Sequence, residues 1–394
     1  MRAFIIDNLV FGGAERQATY LINNQDIFDE IFLLEGVKKY KLTTSKPINE
    51  FSENMLKIYK RPYGDIQFAK KLESKFNSQD LVVSFLERSN IINIRSSFKT
   101  GHRAIISIRN FMSERYRHPK YTFRKILIKK YYPKADLIIT NSHQSKLDLI
   151  QNFSIPEHKI KVIYNIIDLE KINFLKNEKL PLEHQELFQS PIILNIGSLT
   201  TQKAQLQLIE AYSKFKERNS EYKLVIIGEG PQRERLSNYI SKLRLEKNVI
   251  LIGNVDNPFK YLKFSRIFVL NSNYEGFPNV LLESLAVGIP IISKNCKSGP
   301  KELLEVCDYD NSDILLTKYG YLFPRLSDSK GDYNKEVNFL NTCLNNMVKL
   351  IDSERKNSDF KGNCLKRGSE FSKDIIIPEW ENMIKIQESQ KGIF

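Results

Sequence analysis

The sequence predicts an α/β protein of two domains, each built on a parallel sheet. Three observations carry that prediction. The chain has 394 residues, too many for one ordinary core and enough for two. Short apolar runs alternate with helical segments, the order that parallel strands with crossover helices require. A charged, proline-containing stretch near the middle, Lys176-Asn177-Glu178-Lys179-Leu180-Pro181, interrupts the rhythm, which then restarts.

Composition narrows the class. Apolar residues make up 41% and charged residues 27% of the chain, a soluble globular balance. No apolar run approaches the ~20 residues that span a bilayer, and Met1-Arg2-Ala3-Phe4 carries no signal-peptide core. Cys296, Cys307, Cys343 and Cys364 lie far apart without Cys-x-x-Cys spacing. That pattern points away from zinc and from a disulfide framework, and a reducing cytoplasm fits it. Net charge is +14 and unevenly placed: Arg103 to Lys134 holds ten Lys or Arg residues against one acid, Glu114. Phe111, Tyr116, Tyr121, Phe123, Tyr131 and Tyr132 are interleaved with them. Such a stretch suits an anionic membrane surface or nucleic acid, and a solvated helix face competes with both. No RNA-recognition motif is present, so nucleic acid is not expected.

In the first half, strands are predicted at Ala3–Ile6, Ile31–Leu34, Leu81–Phe85, Ala104–Ile108, Leu137–Thr140 and Lys161–Tyr164. The first is followed by Phe11-Gly12-Gly13-Ala14-Glu15-Arg16, where paired glycines at a strand-to-helix turn let a ligand approach the backbone and the helix N-terminus. Alone, the pair fits a plain turn equally well. The strand Ala104–Ile108 ends in Arg109 and Asn110, the position where α/β folds place ligands. Asn141-Ser142 ahead of His143 has the form of a helix N-cap.

The second half restarts with Ile192–Ile196, then Gly197-Ser198-Leu199-Thr200-Thr201-Gln202-Lys203. A helix follows, with Leu206, Ile209, Tyr212 and Phe215 at helical spacing. A lysine at the start of that helix opposes the dipole unless an anion lies nearby. Lys223–Ile227 is a buried strand ending in Gly228-Glu229-Gly230, and Val249–Ile252 leads into Gly253-Asn254-Val255. The most informative stretch is Asn273-Tyr274-Glu275-Gly276-Phe277-Pro278-Asn279-Val280-Leu281-Leu282-Glu283. It follows the strand-like run Arg266–Leu270 and predicts a loop turning into a helix from Asn279 to Val287, stopped by Gly288. Glu283 stands among apolar neighbours, and a buried carboxylate is costly unless hydroxyls or other donors satisfy it. Glu275 precedes a helix N-terminus that suits a phosphate. Two carboxylates around an anion cradle outline a nucleotide-sugar site.

This segment resembles the Glu-x7-Glu motif of the retaining glycosyltransferases of family 4. The resemblance implies the GT-B fold: two facing Rossmann-like domains, with a C-terminal helix crossing back to the first. It gives donor-sugar contact to Glu275, the ribose to Glu283, and the diphosphate to the backbone around Asn279 and Val280. Gly12-Gly13-Ala14-Glu15 resembles the segment that opens many such chains and lies against donor phosphates and acceptor. The family's Gly-Arg and Lys pair, which stabilises the leaving diphosphate, is matched at Lys203, with Ser198 in place of the usual arginine. Gly230 is implied to line the donor pocket, and the backbone at Val255 to contact the base. Where many members carry a histidine on the acceptor side, Arg109 and Asn110 stand here: Arg109 either binds an anionic acceptor phosphate or begins the basic surface.

The resulting expectation is an acceptor-binding domain over 1–175, a linker over 176–190 and a donor-binding domain over 191–368. Residues 369–394, with Trp380 in the core, form the returning helix. The chain would move a sugar from a nucleotide donor, UDP-linked by preference, to a hydroxyl of a lipid-linked or cell-surface glycan, without a metal or other cofactor. Domain closure would assemble the site, at the cytoplasmic face of a membrane. A nucleotide-sugar epimerase on the same fold is one alternative. A basic RNA- or membrane-binding module with an inactive nucleotide site is the other.

Overall fold

A computed structural model describes residues 1–10, 12–51, 63–326 and 329–389. Phe11, at the head of the glycine turn, and the last five residues of the expected C-terminal segment lie outside this description. The chain divides into two compact units, Met1–Ile166 with Lys373–Phe394, and Ile167–Ser372.

Unit one holds seven parallel strands: β1 (Arg2–Ile6), β2 (Glu30–Leu33), β3 (Ile48–Glu50), β4 (Leu81–Phe85), β5 (Arg103–Ile108), β6 (Leu137–Thr140) and β7 (Ile160–Val162). Their spatial order is β3-β2-β1-β4-β5-β6-β7. In β1, Ile5 pairs with Phe32 on one side and Ser84 on the other. Because successive side chains point to opposite faces, these apolar runs feed two layers. Phe4, Ile6, Val83, Phe85 and Ile105 enter one cluster, while Ala3, Ile5, Phe32 and Val82 enter another with Phe68. The helix Lys373–Ser389 covers the first of these faces. Its Trp380 is fully buried with its ring 5.8 Å from that of Phe85, and Arg2 pairs with Glu388 at 2.8 Å.

Unit two repeats the plan with β8 (Ile192–Ile196), β9 (Lys223–Ile227), β10 (Val249–Gly253), β11 (Ile267–Leu270), β12 (Ile291–Lys294), β13 (Leu315–Thr317) and β14 (Gly320–Phe323). The order is β10-β9-β8-β11-β12-β14-β13. All neighbours are parallel except β13 and β14, which pair antiparallel across a two-residue turn, the connection that only antiparallel strands allow. In Gln205–Lys216, Ile209, Tyr212 and Phe215 of the predicted face are fully buried, whereas Leu206 is half-buried and Leu208, outside the predicted set, is fully buried.

The boundary differs from the expected one. The chain changes unit between Ile166 and Ile167, and residues 176–190 belong to unit two rather than forming a free linker. The helix Leu169–Leu175 packs on the helix Asn279–Val287. The Asn257 amide donates to the Leu175 carbonyl (2.8 Å) and to Glu178 (2.9 Å), and His184 Nδ1 lies 2.9 Å from the Tyr261 hydroxyl. A few specific bonds hold what composition alone marks as loose.

Candidate active site

The loop after β8 and the loop after β11 form the core of the site in unit two. Lys203 and Glu275, 72 positions apart, meet with Nζ and Oε1 separated by 2.6 Å. Their side chains are 18% and 10% exposed, a setting that screens charge much less than open solvent. The aliphatic stem of Lys203 lies over Gly197, close enough that a β-carbon there would touch it at 3.4 Å. Hydrogen bonds to backbone carbonyls fix the two loops together. Asn273 N donates to the Gln202 carbonyl (2.7 Å), the Gln202 amide donates to the Tyr274 carbonyl (2.8 Å), and the Asn273 amide donates to the Thr201 carbonyl (3.1 Å). Glu275 itself is held from the other side, its N–H donating to the Lys297 carbonyl at 2.6 Å and its carbonyl accepting from Ser298 N at 3.0 Å.

The helix Asn279–Val287 begins directly after this loop, with Pro278 at its N-cap, and stops at Gly288 in a left-handed conformation. Asn279 and Val280 form its first turn and are half-buried. Glu283 is 5% exposed. Ser198 is exposed on the loop after β8, and Gly230 crosses that loop with φ of 156°. A β-carbon at Gly230 would lie 2.5 Å from the Leu199 carbonyl oxygen, so only glycine permits this approach. Val255 stands apart, past the end of β10, lining a hollow with Pro181, His184, Asn257 and Tyr261.

A buried cation that the sequence did not reveal lies beneath the loops. Lys294, at the end of β12, is fully buried and pairs with Glu336 at 2.9 Å. Its Nζ also donates to Gln207 Oε1 (2.8 Å) and Asn273 Oδ1 (3.3 Å). Glu336 accepts from Leu326 N at 2.6 Å, and Arg325 Nε donates to the Asn273 carbonyl at 3.1 Å. Burial lowers the pKa of Lys294 while Glu336 holds it up. Cys296, between these charges, is pushed up by burial and by Glu275. The only sequence trace of this network is a lysine closing an otherwise apolar run, Ile289-Pro290-Ile291-Ile292-Ser293-Lys294.

The remaining candidates lie in unit one. The helix Gly13–Asn23 starts at Gly12, where a β-carbon would fall 2.2 Å from a Glu15 carboxylate oxygen. Glu15 thus folds back over its own helix N-terminus, and burial raises its pKa. Arg109 follows β5 and is 8% exposed, so it does not begin the basic surface. Its guanidinium lies 4.6 Å from the Phe85 ring and 5.7 Å from that of Trp380. Nη1 donates to Asn165 at 3.3 Å, while Nε and Nη2 have no hydrogen-bond partner. Desolvation brings its pKa down to about 9. Asn110 beside it is half-buried. Ser142 caps the helix His143–Phe153 through a bond from Ser145 N (3.0 Å), as its sequence predicts.

The cations of Arg103–Lys134 end mostly on the helix Thr122–Tyr131 and its flanks. Phe98, Phe123 and Ile126 are 54%, 62% and 56% exposed, and Lys134 lies over the Phe98 ring. All four cysteines are free. No helix among the described residues is long and apolar enough to cross a membrane.

Comparison with known proteins identifies the family and the fold. Residues 11–171 match the family model Glycosyltransferase Family 4, and residues 178–311 match Glycosyl transferases group 1. An uncharacterized glycosyltransferase of Methanocaldococcus jannaschii is 33% identical over 378 residues, 91% of each chain. A second relative, from Campylobacter jejuni, is 34% identical over 76% of this chain and 81% of its own. It is named N-acetylgalactosamine-N,N'-diacetylbacillosaminyl-diphospho-undecaprenol 4-alpha-N-acetylgalactosaminyltransferase. Among solved structures, Anabaena HepE in complex with UDP-glucose has a TM-score of 0.72 at 17% identity, covering 98% of this chain and 99% of that one. That likeness gives the fold as GT-B. The loops that bring Lys203 to Glu275 therefore belong to a glycosyltransferase, and the chain is a member of glycosyltransferase family 4.

Proposed function

We propose that the protein is a retaining glycosyltransferase that moves a sugar from a UDP-sugar to a hydroxyl of a lipid-linked glycan. The observation that carries this reading is the meeting of Lys203 and Glu275 at 2.6 Å beside the N-terminus of the helix bearing buried Glu283. Lys203 and the N-terminus of the helix that begins at Asn279 and Val280 supply fixed positive potential for the departing diphosphate. Glu275 accepts a hydroxyl of the donor sugar, orienting it without acting as nucleophile, and Glu283 accepts the ribose hydroxyls. Ser198 and Gly230 bring backbone close to the donor, and Val255 serves the base. Charge stabilisation from these groups makes the transfer independent of a metal. The UDP complexes of HepE and the diphospho-undecaprenol acceptor in the name of the Campylobacter relative support the choice of donor and acceptor.

Arg109 and Asn110 stand on the acceptor side in this proposal. The face carrying Phe98, Phe123 and Ile126 supports binding to the cytoplasmic surface of a membrane. No acid occurs from Arg115 to Ala135, and exposed apolar side chains among cations favour an anionic interface.

The test is release of UDP from a panel of UDP-sugars with and without EDTA. Lys203→Ala should lower kcat by about tenfold or more while leaving UDP affinity nearly intact. Glu283→Ala should weaken UDP binding by roughly tenfold, the loss of hydrogen bonds to a charged group. Normal turnover in Lys203→Ala would remove its assigned role.

A further inference from the structure

Lys294 has three N–H donors and three acceptors: Glu336, Gln207 and Asn273. That uses the whole capacity of an ammonium group. Each acceptor sits on a different part of unit two. Gln207 is in the first turn of the helix after Lys203, Asn273 lies two residues before Glu275, and Glu336 belongs to the helix Lys330–Ile351. The Glu336 carboxylate closes the set, accepting also from Gln207 Nε2 (3.1 Å) and Leu326 N (2.6 Å). One fully buried cation therefore ties the segment carrying Lys203, the loop carrying Glu275, and the long helix behind both.

Stability alone does not account for this arrangement. A buried ion pair loses most of its Coulombic gain to desolvation, and well-packed apolar residues often replace it at no net loss. What an apolar pair cannot reproduce is the directed bond from Lys294 to the Asn273 side chain. Asn273 also joins the two loops directly, donating from its backbone to Gln202 and from its amide to Thr201.

We infer that Lys294 is a positioning residue: through Asn273 it sets the distance between Lys203 and Glu275, and thereby the geometry offered to the donor. The role assigned to that geometry rests on the proposed function, but the structural role can be tested without it.

Two variants separate positioning from stability. Lys294→Met/Glu336→Gln removes both charges and leaves an oxygen to accept from Leu326 N. Asn273→Ala leaves the ion pair whole and removes its link to the loop together with the amide bond to Thr201, which the double variant keeps. Hydrogen exchange read by mass spectrometry should show the amides of Asn273 and Glu275 exchanging about tenfold faster in both variants, with β11 and β12 protected as in the wild type. The melting temperature of Asn273→Ala should stay close to that of the wild type. With a UDP-sugar that the wild type turns over, kcat should fall about tenfold while UDP affinity changes by less than about twofold. Unchanged exchange at Asn273 and Glu275 in folded Asn273→Ala would overturn the inference. Failure of the wild type to bind any UDP-sugar would instead sink the donor reading, and the exchange result would still decide the role of Lys294.

Discussion

Lys294 and Arg109 occupy matching places in the two units. β5 is fifth across the first sheet and β12 is fifth across the second, and each delivers a buried cation at its carboxyl end. The surroundings are opposite. Lys294 has a carboxylate and two amide oxygens, whereas Arg109 has one amide oxygen, two aromatic faces and two nitrogens without a partner. The chemistry of the two side chains permits this. An ammonium is a compact, strongly hydrated charge that needs directed acceptors when buried. A guanidinium is delocalised, weakly hydrated and able to lie against π-faces. Lys294 is thus locked in place by its acceptors, whereas Arg109 is held but not neutralised.

The sharpest way to break this comparison is to remove each cation. Lys294→Met strands Glu336 in the interior and should cost about 3–5 kcal/mol in denaturant unfolding. Arg109→Met removes an unneutralised buried charge, so stability should hold or rise by about 1 kcal/mol. Equal losses from both would show that Arg109 is as firmly integrated as Lys294.

Alkaline pH sharpens the contrast further. The folded-state pKa of Arg109 lies near 9, below its ordinary value of 12.5. Above pH 9 the folded chain therefore binds fewer protons at this site than the unfolded chain, and the slope of stability with pH is positive. Wild type should gain on Arg109→Met between about pH 8 and about pH 10.5. A constant difference across that range would contradict the burial of an unneutralised guanidinium.

The smallest effect concerns thiols. Cys307 is exposed, while Cys296, Cys343 and Cys364 are buried with raised pKa values, which makes them poor nucleophiles. A thiol reagent should label Cys307 alone in the native protein. Cys296 lies two residues from Lys294, so Lys294→Met should increase its labelling several-fold while Cys343 remains protected.

How much of this was legible in the sequence follows from how local each signal is. The helix Asn279–Val287 could be read outright, because a proline, an apolar run and a glycine bound it within a dozen positions. The long buried strands were visible as apolar runs. β3 and β13 were not: Ile48–Glu50 and Leu315–Thr317 are three-residue edge strands with polar members, too short to show a period. The contact of Lys203 with Glu275 spans 72 positions, and only the family resemblance joined the two. Lys294 with Glu336 spans 42 positions and had no such guide. The unit boundary differs from the expected one for a related reason: charged residues in 176–190 indicate solvent contact, but not the Asn257 and Tyr261 bonds that pin the segment to unit two.

The most direct test of the account is isothermal titration of the full chain with UDP and with UDP-, GDP-, ADP- and CMP-sugars, comparing wild type with Glu283→Ala. The account predicts binding of UDP and of one UDP-sugar, unaffected by EDTA and weakened roughly tenfold by Glu283→Ala. Preference for another nucleotide, or UDP binding that Glu283→Ala leaves intact, would contradict the donor site described around Lys203, Glu275 and Glu283.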